Sequence, residues 1–214
     1  MIIGICGLIG SGKGTVGDIL VDYHNFQKIS FADKLKDGAA AIFGWDRALL
    51  EGDSDRSRLW REKPDDFWSK ELGHEVTPRL VLQLMGTDCM RYGFHDDIWV
   101  LLVKKHMMEH PHINYVIPDV RFPNEMKVIR ELGGQVWNVR RGDLPDWWGA
   151  AILDNNTGSN LMDQHKIHPS EWKWIDSNDK FDKIIYNEST LEELYIQVEH
   201  TLTPNITQKI QKNA

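Results

Sequence analysis

The run Gly7-Leu8-Ile9-Gly10-Ser11-Gly12-Lys13-Gly14-Thr15 sets a lysine between two glycines, directly after a short apolar stretch. This composition suits one kind of chemistry. Glycine tolerates left-handed dihedrals and close approach, so such a loop can wrap a phosphate with its backbone N–H groups pointing inward. A helix starting near Lys13 would add its N-terminal partial charge, and Lys13 a point charge for β and γ phosphates. Gly10, Ser11, Gly12, Lys13, Gly14 and Thr15 are therefore the nucleotide-binding candidates. The run departs from the usual phosphate-loop pattern at Gly14, where Ser or Thr normally follows the lysine. Thr15 comes one residue later, which favours a phosphate or water-mediated metal contact over direct ligation.

Three other segments carry residues suited to a second substrate: Phe31 to Lys36; Arg79 with Leu84-Met85-Gly86-Thr87-Asp88 and Arg91; and Pro118-Asp119-Val120-Arg121-Phe122-Pro123-Asn124-Glu125. Phosphoryl transfer needs a positioned acceptor and neutralised charge more than it needs a nucleophilic side chain. Asp119 follows an apolar strand, where it could hold Mg²⁺ directly or through water, or cap the helix after Pro123. Glu125 is also a natural first-turn acid for that helix. Arg79 and Arg91 could be solvated surface residues, and Trp99 a core residue. His106, His110 and His112 invite a metal reading, but no carboxylate or Cys stands at ligand spacing.

Strand and helix patterns alternate along the chain, the signature of a parallel sheet covered on both faces. Strands are expected over 2–6, 27–30, 115–118, 135–139 and 183–186. Helices are expected over 13–23, 31–43, 78–92, 96–110, 123–132 and 190–202, the last capped by Ser189 or Thr190. No clean period survives over 45–76 or 140–174. Both stretches are rich in charge and Trp, and residues 205–214 read as a frayed tail.

The 214 residues carry 25 Lys and Arg against 32 Asp and Glu, a net charge of −7, with 41% hydrophobic and 27% charged residues. That balance fits a globular chain and argues against a broad surface for polymeric nucleic acid. No apolar run approaches a membrane span, and no basic segment precedes the apolar start as in a secretory signal. Cys6 and Cys89 read as two buried thiols in a reducing compartment, so a cytoplasmic location is expected. The sequons at Asn155, Asn187 and Asn205 are then chance matches.

The string GxxGSGKGT resembles the loop of nucleoside monophosphate kinases. Together with FADxLK, LMGTD, Trp99, PDVRFPNE and the closing NESTLEEL, it makes the chain similar to the deoxynucleoside monophosphate kinases of bacteriophages. The resemblance covers most of the chain and is weakest between Trp45 and Val76 and between Asp143 and Trp174. It implies an α/β P-loop kinase fold over 1–204, with a five-stranded parallel sheet, a monophosphate-binding subdomain near 45–76 and a lid near 140–174. It also implies ATP and Mg²⁺ as cofactors, and transfer of the γ-phosphoryl group to a deoxynucleoside 5′-monophosphate (dNMP) in the cytoplasm, the host's if the chain is phage-encoded. Lys13, Asp119, Arg121 and Arg140 would be catalytic, with Arg141 on ATP and Thr15 and Asp119 toward the metal. Lys36, Arg56, Arg79, Gly86, Thr87, Asp88, Trp99, Asp119, Arg121 and Glu125 would contact the dNMP. Partners would be small nucleotides, with neither polymeric nucleic acid nor membrane; oligomeric state stays open, a homodimer included. The rival readings are another small-molecule kinase of this fold, such as one of the dephospho-CoA kinase type, and a nucleotide-binding regulator without turnover.

Overall fold

A computed structural model describes residues 1–175 and 181–202. The tail expected at 205–214 lies outside them. The chain forms two compact units, one built from residues 1–30 with 107 onward, the other from 31–106.

The first unit holds a sheet whose described strands are β1 (Ile2–Cys6), β2 (Phe26–Lys28), β3 (Asn114–Ile117), β4 (Gln135–Arg140) and β5 (Lys183–Tyr186), in the order β2-β3-β1-β4-β5. Every pairing is parallel, with Ile3 beside Val116 and Gly4 beside Val136. β1 is the central strand; from it the chain passes to β2 at one edge, returns inward as β3, then crosses to β4 and out to β5. The residues of β1 alternate between the two faces, as the pleat requires. Ile3 and Ile5 join Val16, Ile19 and Leu20 of α1 (Lys13–His24) and Leu194 and Val198 of α9 (Leu191–Leu202) in one core. Gly4 faces the other way, toward Ile129 of α7 (Pro123–Glu131), and a β-carbon there would collide with that side chain. Trp137 of β4 is fully buried, its indole N–H donating to Gln135 at 2.9 Å. Thr190 caps α9 by accepting from the Glu193 amide at 3.2 Å, which settles the choice left between Ser189 and Thr190.

The second unit contains α2 (Asp33–Phe43), α3 (Asp55–Glu62), α4 (Asp66–Leu72), α5 (Pro78–Gln83) and most of α6 (Ile98–Glu109). Two of these, α3 and α4, fall where the sequence showed no period. Each begins on a side-chain cap: Ser54 accepts from Ser57 N, and Asp65 from Trp68 N. Asp65 also takes the Trp45 indole N–H at 2.8 Å, and these two donors hold its carboxyl below the usual range. Trp45 stacks on Phe43 at 4.6 Å and meets Trp60 edge-on, so these half-buried aromatics pack against one another, while Leu50, Val76 and Val81 are among the unit's buried residues. The helix expected over 78–92 splits: after α5, residues 84–92 form a π-helix. In 140–174, the first unit has a further helix, α8 (Trp148–Thr157), and two 3₁₀ turns at 161–165 and 169–171. Cys6 is buried, and burial pushes its thiol up, whereas Cys89 is exposed on the π segment, against the expectation of two buried thiols.

Truncating Trp137 removes a fully buried ring between the sheet and its helices. Trp137→Ala should lower stability by about 4 kcal/mol in urea unfolding, and a loss under 1 kcal/mol would mean that this packing is not what holds the sheet together.

Candidate active site

The first unit gathers charge at the carboxyl edge of its sheet. β1 ends at Cys6, residues 7–12 turn, and α1 begins at Lys13. Gly12 sits at φ 94° as the residue before the helix and offers no side-chain cap. A helix start without a cap leaves its first amides for an outside anion, here those of Lys13, Gly14 and Thr15. Gly10, Gly14 and Thr15 are exposed, while Ser11 is buried with its hydroxyl unpartnered among the described residues.

Asn187, just past β5, holds this turn. Its side-chain amide donates to the Ser11 carbonyl at 3.0 Å, and its backbone N–H to the Arg140 carbonyl at 2.8 Å. The Asn187 amide occupies the place a β-carbon on Gly12 would need, so glycine is required there for packing as well as for its dihedral. Sequence reasoning did not select Asn187 as a site residue. The available signal was its position, a polar residue immediately after an apolar strand at the sheet edge where ligands bind.

The Lys13 ammonium donates to the Leu8 carbonyl at 3.1 Å. Burial lowers its pKa and the positive charge of Arg121 lowers it further, while Glu171 and Asp119 pull the other way. Asp119 follows β3 and accepts from the Ser30 hydroxyl at 2.9 Å. Its other carboxylate oxygen is buried without a hydrogen-bond partner among the described residues. Such an oxygen costs free energy unless a cation or donor completes it, and a hard cation with oxygen ligands fits that need. The helix after Pro123 is not capped by Asp119. Glu125 does that, its carboxylate accepting from the amides of Arg121 at 2.7 Å and Phe122 at 3.1 Å. Glu125 is only 4% exposed, so the expectation that it flanks a substrate gives way to a structural role.

Arg121 donates to Glu171 at 2.7 Å and to the Ser170 hydroxyl at 3.4 Å. Arg140 donates through Nε to Asn138 at 2.7 Å and lies over the Trp148 ring, 6.0 Å from its centre. Asn138 is wholly buried and anchored to the Cys6 carbonyl, so the arginine is aimed from the sheet interior. Leu8, Arg140, Arg141, Gly142 and Trp148 line one cleft beside the loop.

The second unit holds the other expected residues. Lys36 on α2 pairs with Glu51, which also binds Arg47. Burial pushes the Glu51 carboxyl up, but these two hydrogen bonds outweigh it and leave the group below the usual range. Arg56 is exposed on α3, and Arg79 is exposed and paired with Glu62 at 2.9 Å. Arg61, which sequence reasoning missed, is half-buried with its guanidinium against Gly52 and its Nε unpartnered among the described residues. Burial and the neighbouring charges of Arg79 and Arg58 lower its pKa. Its signal was the spacing of Arg58 and Arg61, three apart on one helix. Gly86 is buried, Thr87 half-buried and Asp88 exposed, all on the π segment. Trp99 differs from the expected wall for a base: its ring is buried, and its N–H donates to the Gly86 carbonyl at 2.9 Å.

A glycine loop running into an uncapped helix, at the carboxyl edge of a parallel sheet ordered β2-β3-β1-β4-β5 with an Asp just past the end of the adjacent strand, defines a P-loop kinase-type domain. Within that class, the chain belongs to the deoxynucleotide monophosphate kinase family, whose model matches residues 63–198. A protein of Acanthamoeba polyphaga mimivirus, provisionally named deoxynucleotide monophosphate kinase, is 33% identical over 92% of this chain and 94% of its own. The deoxynucleoside-5′-monophosphate kinase of Escherichia phage T5 is 27% identical over 61% of this chain and 72% of its own. Among solved structures, dephospho-CoA kinase from Campylobacter jejuni aligns over 94% of this chain and 95% of its own, at 15% identity and a TM-score of 0.46.

Two outcomes test the loop. Asn187→Ala removes one hydrogen bond from the phosphate turn, and should raise KM for the nucleoside triphosphate about tenfold, the size of one such bond, with kcat nearly unchanged; the reverse split would relocate its role. Lys13 binds phosphate while protonated, and its pKa is lowered. Affinity for ADP should therefore be full below that pKa and fall as pH rises through it, sooner than for an exposed lysine; titration calorimetry from pH 7 upward would refute this by an affinity flat throughout the lysine range.

Proposed function

We propose that this chain transfers the γ-phosphoryl group of ATP to a deoxynucleoside 5′-monophosphate, releasing a deoxynucleoside diphosphate and ADP for DNA precursor synthesis. The observation that carries this reading is the grouping of Lys13, Asp119 and Arg121 beside the uncapped start of α1, in a chain of this family. The loop amides and Lys13 hold the triphosphate, and Arg140 and Arg141 flank the cleft beside it. Arg121 neutralises charge that builds on the group in flight; an arginine so placed contributes about 10³-fold or more. The acceptor phosphate is ionised near neutrality, so no general base is needed. Asp119, with Thr15 nearer the loop, would hold Mg²⁺ through water. That ion, when bound with ATP, draws negative charge from the phosphoryl oxygens.

In the second unit, Lys36, Arg56 and Arg79 are proposed for the acceptor phosphate, with Arg61 added because its Nε is unpartnered among the described residues. Thr87 and Asp88 are proposed for the base, carried on a π segment that Gly86 and Trp99 hold in shape. π-Helical segments recur at functional sites because they turn side chains out of α register. No helix of the described residues is long and apolar enough to cross a membrane. A cytoplasmic protein acting on free nucleotides, alone or as a homodimer, is the accompanying expectation.

The test is a coupled ADP-release assay with dAMP, dGMP, dCMP, dTMP and their ribose counterparts, with Lys13→Ala as the inactive control. Turnover should depend on at least one deoxynucleotide acceptor, and its absence with all of them would overturn the proposal. Arg121→Ala should lower kcat about 10³-fold while ATP affinity changes little.

A further inference from the structure

Glu171 is the one carboxylate of this charge group that the transfer reaction does not require. It stands at the end of the 3₁₀ turn Pro169–Glu171, its side chain 25% exposed. Its backbone is fixed: the amide donates to the His168 carbonyl at 2.9 Å, and its own carbonyl accepts the Trp174 indole N–H at 2.9 Å. Trp172, Trp174 and Ile175 next to it are buried. Ser170, in the middle of the turn, contacts His168 Nδ1 at 2.8 Å through its hydroxyl. The carboxylate is therefore a negative charge on a short, rotatable arm with a rigid base. Its contact is Arg121 at 2.7 Å, and it also acts electrostatically on Lys13.

Stability does not account for this pair. The Arg121 side chain is 39% exposed, and ion pairs open to water contribute about 0–1 kcal/mol. Charge balance does. Lys13 and Arg121 are two cations held close enough to repel, and Asp119 and Glu171 are the two anions that offset them. A polyphosphate brings several negative charges to the same cations, and Glu171 then faces like charge.

We propose that Glu171 is a tethered anion that occupies Arg121 in place of a phosphate and is displaced when nucleotide binds. The proposal rests on the reading of Arg121 as a phosphate contact. A carboxylate on a short arm acts at high effective concentration, so it competes with free phosphates at ordinary levels. It screens the repulsion between Lys13 and Arg121 before substrate arrives, and keeps Arg121 from trapping stray anions. It also explains why losing Arg121 should leave ATP affinity nearly unchanged: one attractive contact is lost while one competing anion is set free.

The test uses inorganic tripolyphosphate, which has no base or sugar, alongside ATP, with dissociation constants from calorimetry on the full chain. Glu171→Gln keeps the size of the side chain and should tighten both ligands roughly three- to tenfold at low salt, the scale of one opposed charge, with the gain shrinking at high salt. Glu171→Asp keeps the charge but shortens the arm, and should lie between. In an Arg121→Ala background, Glu171→Gln should lose most of its effect, keeping only the part that acts through Lys13; an undiminished effect there would show that Glu171 does not compete at Arg121. Unchanged or weaker tripolyphosphate binding by a folded Glu171→Gln protein overturns the proposal. If Arg121→Ala alone retained full turnover, the reading of the site itself would be at fault, a result distinguishable from failure of the Glu171 step.

Discussion

The start of α1 is a helix end left open. Gly12 in the left-handed region removes any side chain that could close it, and the next amides remain for an anion. The rest of the first unit keeps that opening in shape. β1 must be central so that the loop emerges between β3 and β4, which bring Asp119 and Arg140 to the same edge. Asn187, the most distant residue in sequence, fixes the turn from the β5 side. The helix start is thus an electrostatic demand that the remaining strands are arranged to meet.

The second unit works differently. Its helices are short, and isolated helices of that length are unstable in water. They hold because Phe43, Trp45, Trp60 and Trp68 pack together and because Ser54, Asp65 and Thr77 satisfy exposed amides. Carboxylates neutralise several of its basic residues in pairs, as Glu51 does for Lys36 and Arg47. Arg61 stands apart through its Nε, unpartnered among the described residues. The net charge of −7 is compatible with phosphate ligands because Lys13 and Arg121 concentrate positive charge locally beside the loop.

The parts legible in the sequence are those determined by neighbours along the chain. The phosphate loop was readable because its backbone geometry needs glycine at fixed places, and the five strands because buried runs are apolar. α3 and α4 were not, since eight and seven residues are too few to display a period, although their caps at Ser54 and Asp65 were in plain sight. Asn187 acts on a residue 176 positions away, and no local pattern encodes that pairing. The sequence left Glu125 and Trp99 each with two readings, and burial decided both: a helix cap and a buried anchor.

The π-helix over 84–92 has one further consequence. Its hydrogen bonds reach one residue further than those of an α-helix, so it stores an extra residue per turn's worth of bonding without lengthening the path between α5 and α6. Trp99 pins one point of that path through the Gly86 carbonyl. Deleting a single residue there would return the segment to α register and rotate Thr87 and Asp88 relative to Gly86, while the flanking helices kept their places. The segment is a place where the chain can change which side chains it exposes by insertion or deletion, independently of the phosphate loop.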